Sequence, residues 1–235
     1  MIIKRNSWML SAVAVSAFVL ALPLASHAQV TGGPPSVTDQ LSKLSAEWWQ
    51  WALSIPSSVN PLQDATGEHC MAGHRGDVWF LAGTFTGEPA KRDCTVSEEA
   101  ELFFPVANYI FINIKCDGSE WEPKTTIEEA RAEAAENVEN TEIVTVELDG
   151  KPITSVSRVQ SKVFWVALPE DNLFDEPCEN ESNTPVGVYS YAVDDGYYVR
   201  LKPLPVGEHT LRFETTGAIS QDITYALTVE PVRLK

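Results

Sequence analysis

The sequence predicts a mainly β fold: an antiparallel β-sandwich, jelly-roll or Ig-like, with an N-terminal helix and one inserted helix. Three observations predict it. About ten short segments carry apolar residues at a period of two or as brief continuous runs. Turn signals such as Asp149-Gly150 and Asp195-Gly196 separate them at close spacing. Two segments with a period near 3.6 stand outside that rhythm, one before the strands and one among them.

The first helix is drawn by Leu41, Leu44, Trp48, Trp51 and Ile55, which recur three and four apart and form one apolar stripe ended by Pro56. Trp49 falls at the edge of that stripe. Val78 to Ala82 is a continuous apolar run, as in a strand buried on both faces. Leu102 to Pro105 reads as a short strand. Tyr109 to Lys115 alternates, with Ile110, Ile112 and Ile114 on one face. Thr126 and Glu129 make a capping-box pair ahead of an Ala/Glu-rich helix with a narrow Ile127, Ala130, Ala134, Val138 stripe. Strands then resume: Val144 to Leu148, Lys162 to Leu168, Tyr189 to Val193, Tyr197 to Lys202, His209 to Thr215 and Ile223 to Glu230. Asp149-Gly150 and Asp195-Gly196 predict hairpins between neighbours in this series.

Residues 1–28 read as a secretory signal: Lys4 and Arg5, an apolar run from Leu10 to Leu22, Pro23, then Ser26-His27-Ala28. Residues 29–37 read as a flexible leader, and 38–235 as a single β-sandwich domain with accessory helices. No later stretch reaches the length of a membrane span, so a periplasmic or extracellular protein is expected. In that oxidising setting Cys70, Cys94, Cys116 and Cys178 are expected to pair, with Cys70–Cys94 and Cys116–Cys178 favoured among three possibilities.

Charge narrows the partners. Asp plus Glu number 33 against 17 Lys plus Arg, a net −16, and losing Lys4 and Arg5 leaves 15 against 33. Such a surface repels phosphate backbones and anionic lipid, so no nucleic acid is expected as a partner, whereas neutral ligands such as sugars are tolerated.

Trp48-Trp49-Gln50-Trp51, Val78 to Gly83, Arg92 to Cys94, Leu102 to Pro105, Asp195 to Tyr198 and Gly207 to Thr210 carry a likeness across most of the mature chain. On these residues the chain resembles a family of exported bacterial proteins with a Trp-Trp-Gln-Trp helix and a Val-Trp-Phe-Leu-Ala-Gly strand. The resemblance implies export and supplies no catalytic residue, cofactor or substrate. Where that family is expected to have glutamine, this chain has His74.

Chemical signatures are sparse. The chain lacks G-x-S-x-G, H-E-x-x-H, P-loop and G-x-G-x-x-G motifs. Glu68, His69, Cys70 and His74 are dense in potential ligands, but their spacing matches no zinc motif and a polar loop is the expected reading. The acidic stretch Glu170, Asp171, Asp175, Glu176, Glu179, Glu181 lacks calcium-loop spacing. No metal and no cofactor are therefore expected. Glu68, Asp64, Glu99 and Glu101 are the candidates for a carboxylate-dependent hydrolase. Aromatic residues are the better lead. Trp49, Trp121, Tyr197 and Tyr198 fall at a stripe edge, a loop or a hairpin, where exposed rings would stack on a sugar or another protein. The leading expectation is a binding module for a glycan or an envelope protein, with a hydrolase or a self-assembling structural protein as alternatives.

Overall fold

The N-terminal helix forms where its apolar stripe predicts it. In the computed structural model, which describes residues 35–74, 76–115, 119, 124–174 and 184–232, helix α1 runs Val37–Ser54. Ser36 caps it, its hydroxyl accepting the Asp39 N–H at 3.1 Å. Ile55 takes an extended backbone ahead of Pro56 and ends it. The signal segment, residues 29–34 of the leader, Trp121, Cys116, Cys178 and the acidic run from Asp175 to Glu181 lie outside the described residues. So does the expected Cys116–Cys178 pairing.

The strands are β1 (Val78–Phe80), β2 (Ala90–Ser97), β3 (Glu101–Ile112), β4 (Thr141–Leu148), β5 (Lys151–Pro152), β6 (Ser157–Gln160), β7 (Phe164–Leu168), β8 (Gly187–Leu201), β9 (Gly207–Gly217) and β10 (Gln221–Glu230), with helix α2 (Ile127–Glu139) between β3 and β4. They form two five-stranded sheets. The first is ordered β1-β3-β8-β6, with β7 also paired to β8, and the second β2-β10-β9-β4-β5. The sheets are mixed rather than antiparallel throughout: β1 pairs with β3, and β2 with β10, in parallel. The chain leaves β1 for β2 in the second sheet before returning as β3, and that crossover restores the direction of β1.

Three layers result. Phe103 and Tyr198 of the first sheet pack with Trp48, Trp49 and Trp51 of α1. Leu102, Phe104 and Val199, on the opposite face, pack with Leu211, Phe213, Ile223 and Tyr225 of the second sheet. A sheet buried on both faces needs apolar residues in succession, which is why Leu102-Phe103-Phe104 does not alternate. Helix α2 keeps its capping box, with the Thr126 hydroxyl accepting the Glu129 N–H at 3.2 Å. It packs on β8 and β3 through Ala130, Ala134 and Val138. The expected Cys70–Cys94 disulfide is present, with Cα atoms 6.0 Å apart, and no helix among the described residues is long and apolar enough to cross a membrane.

Four strand readings change. Asp195-Gly196 is not a hairpin: β8 runs unbroken through it, because both aspartates are buried and paired inside the sheet. Leu102–Pro105 and Tyr109–Ile112 are one strand, kept continuous past Pro105 by a bulge before Ala107. A second bulge between Ile143 and Thr145 turns Val144 outward while Val146 stays buried. Strands β2 and β6 carried no clear apolar pattern; in β2 the inward series is Ala90, Arg92, Cys94, Val96, with an arginine in a core position.

Candidate functional cleft

Helix α1, the segment after β1, strand β3 and the β9–β10 turn enclose an open cleft of about 500 Å³. Trp49 and Phe85 supply aromatic walls, their ring centroids 6.4 Å apart. Asn108 and Gln221 contribute amides, and Thr84, Thr86 and Ser220 contribute hydroxyls. Among the described residues none that line it is charged, although the chain carries a net −16. Phe85 is 48% exposed, whereas Trp49 is only 3% exposed. The Trp49 ring is therefore wall, and the Phe85 ring is the accessible face.

The rim is pinned from inside the core. The buried Arg92 guanidinium donates to the carbonyls of Asp64 at 2.7 Å and Gly83 at 2.9 Å, and to the Tyr225 hydroxyl at 2.7 Å. Tyr225 donates in turn to the Ala82 carbonyl at 2.8 Å. Gln221 accepts the Thr84 N–H at 3.0 Å and donates to the Val106 carbonyl at 3.3 Å. Ala82, Gly83 and Thr84 thus have little freedom where they enter the cleft, which preorganises that edge.

Behind the wall lies a buried carboxyl. Asp194, 1% exposed, points from β8 toward α1, and its Oδ1 accepts the Trp49 indole N–H and the Tyr198 hydroxyl, each at 2.8 Å. Asn108 Nδ2 donates to the Tyr198 hydroxyl at 3.1 Å. Burial raises the Asp194 pKa to about 7, despite opposing hydrogen bonds from Trp49 and Tyr198, and the neighbouring Asp195 adds to the rise. Among the described residues Oδ2 has no hydrogen-bond partner. Burial and the adjacent Asp194 likewise push the Tyr198 phenol well above its ordinary value. Asp195, next along the strand, points to the opposite face and is satisfied differently. Arg158 forms a bidentate pair with it at 3.0 and 3.2 Å, and Gln160 donates at 2.9 Å.

Of the expected aromatic residues, Trp49 and Tyr198 come together, joined through Asp194, but both are buried. Trp49 lies at the edge of the α1 stripe, and the Phe85 segment and Leu62 close over that edge. Tyr197 lies on the other face of β8 under the Arg158 guanidinium, 6.0 Å from its ring centroid. Asn108, Phe85, Gln221 and Asp194 were not singled out by the sequence. The available signal for Asp194 was Asp-Asp-Gly itself, read as a turn.

Of the other candidates, Glu68 and Glu99 are exposed, and the rest are occupied by structural work. Burial pushes Asp64 up, but the N–H groups of His69, Thr66 and Gly67 hold its carboxyl below the ordinary value. Glu101 pairs with Arg200 at 2.5 Å. His74 stacks between Trp51 and Trp79, with centroid distances of 5.6 and 4.9 Å, and burial lowers its pKa. His209 bridges Asp149 at 2.8 Å and the Pro205 carbonyl at 2.9 Å, tying the β4–β5 turn to β9. Among the described residues no group of three His, Cys, Asp or Glu side chains is placed to hold a metal. Compared with protein-family models, with curated proteins and with solved structures, the chain matches none.

Proposed function

We propose that the protein is an exported binding module, periplasmic or extracellular, and that the cleft takes a neutral glycan. The observation that carries this reading is the lining: aromatic walls, amides and hydroxyls, with no charge among the described residues, on a strongly acidic chain. A sugar ring offers apolar C–H faces to an aromatic ring and hydroxyls to amides, so it matches both halves of that lining. A cleft of about 500 Å³ lies in the size range of small-molecule sites. Export rests on the signal-like residues 1–28 and agrees with the Cys70–Cys94 disulfide.

A second reading, docking or self-assembly through an exposed apolar strip, is favoured by Trp165, 51% exposed, which shares the β7–β8 region with the exposed Val188. The two readings separate in one experiment. The mature protein is applied to an array of neutral glycans beside Phe85→Ala, which removes the accessible ring, and Trp165→Ala, which alters the strip. The glycan reading expects binding that Phe85→Ala weakens about tenfold and Trp165→Ala leaves alone. Binding that is insensitive to Phe85, or no binding at all, counts against it.

A further inference from the structure

Beneath the cleft, hydrogen-bond donors and acceptors are committed in one order. The Trp49 indole has only a donor, so Asp194 Oδ1 must accept from it. Tyr198 has one hydroxyl proton, and it goes to the same Oδ1 at 2.8 Å. With that proton spent, the Tyr198 oxygen can only accept from Asn108, and the 3.1 Å contact is made by Asn108 Nδ2. A carboxamide has its nitrogen and oxygen on opposite prongs. Fixing Nδ2 on Tyr198 therefore fixes where Oδ1 points, and no group in the described chain donates to that oxygen, while Asn108 lines the cleft. A proton added to Asp194 at Oδ2, which has no hydrogen-bond partner among the described residues, leaves this order intact.

We propose that Asn108 determines specificity in this cleft by presenting its carbonyl oxygen to a ligand hydroxyl, with Tyr198 and Asp194 as positioning residues that prevent the amide from flipping. The assignment rests on the glycan reading above and narrows it: the ligand must bring a hydrogen-bond donor to this point, so a hydroxyl is accepted and an ether oxygen rejected. A site built around one polar contact rejects an analogue lacking the matching group strongly, because the buried group is left unpaired.

The test uses two probes with the same sugar rings, cellobiose and its fully O-methylated form, titrated into the isotope-labelled mature protein. Shifts of the Asn108 side-chain amide resonances are followed by NMR. Cellobiose is expected to shift them and to bind at least tenfold more tightly than the methylated sugar. Asn108→Leu, close in shape, should remove that preference, and its melting temperature should fall by no more than the loss of one hydrogen bond to the buried Tyr198 hydroxyl brings. Tyr198→Phe should reduce the preference by freeing the amide, an effect that a purely structural role would not produce. Equal binding of the two sugars, or a preference that survives Asn108→Leu, overturns this assignment and leaves the glycan reading standing. If neither sugar binds the unaltered protein, the assignment and the glycan reading fall together.

Discussion

Asp194 is buried among neutral donors, with no cation beside it among the described residues, and its pKa of about 7 follows from that burial. In the unfolded chain the same carboxyl ionises near its ordinary 3.8. Between those two values the folded protein keeps a proton that the unfolded chain has lost, so stability falls as pH rises through that window and levels off above about 7. Denaturant unfolding across this range should show the decline, and Asp194→Asn should flatten it. Because the Trp49 indole bonds to this carboxyl at 2.8 Å, tryptophan fluorescence should follow the same titration, with a midpoint about 7 that is absent in Asp194→Asn. A fluorescence profile that is flat between about pH 5 and pH 9, around the expected midpoint, would show that the carboxyl does not titrate there and would contradict this reading. None of this was legible at the residue scale. Asp194 and Asp195 are adjacent acidic residues before a glycine, the composition of a tight turn, and only tertiary partners 37 and 145 residues away reveal them as buried. Asp195 needs Arg158, and Asp194 needs Trp49.

Strand β8 is the element on which the site depends, because its successive side chains send one carboxyl to α1 and the next to Arg158 beneath α2. Gly196 belongs to that strand for lack of space: a Cβ there would stand 2.6 Å from the Asn108 Cβ and 2.8 Å from Tyr198 Cε2. Gly196→Ala should therefore destabilise the protein by about 1–3 kcal/mol through overpacking and should displace Asn108. Circular dichroism melts and the Asn108 side-chain resonances measure the two effects; a variant as stable as the parent with unmoved resonances would contradict this packing. Helices were the legible elements. The 3.6 period of α1 and the Thr126–Glu129 box of α2 are local signals, and the structure keeps both. Strand β10 was also legible, since Ile223, Tyr225, Leu227 and Val229 alternate and are all buried. Strands interrupted by bulges were misphased, and β2 was missed because Arg92 takes an inward place that an apolar pattern assigns to a hydrophobe.

At the scale of the molecule, the β-rich class, both helices and the Cys70–Cys94 bond follow from the sequence, while the mixed sheets do not. Parallel pairing of β2 with β10 joins residues far apart in the chain, and no local pattern encodes that choice. The same long-range pairing places the disulfide, since Cys94 in β2 lies opposite Leu227 in β10 and ties that edge to the Cys70 loop. Replacing both cysteines by serine should cost about 3 kcal/mol, seen as a lower denaturant midpoint; an unchanged midpoint would mean the bond adds nothing to the fold. The cleft likewise belongs to the whole molecule, because its walls come from α1, β3 and the β9–β10 turn together. Hydrogen-exchange mapping with and without a saturating mixture of neutral oligosaccharides tests its role most directly. The account predicts protection confined to residues 83–87, 108–110 and 218–221, the segments that line the cleft. Protection centred instead on the β7–β8 strip around Trp165, or an exchange pattern untouched by the sugars, would contradict it.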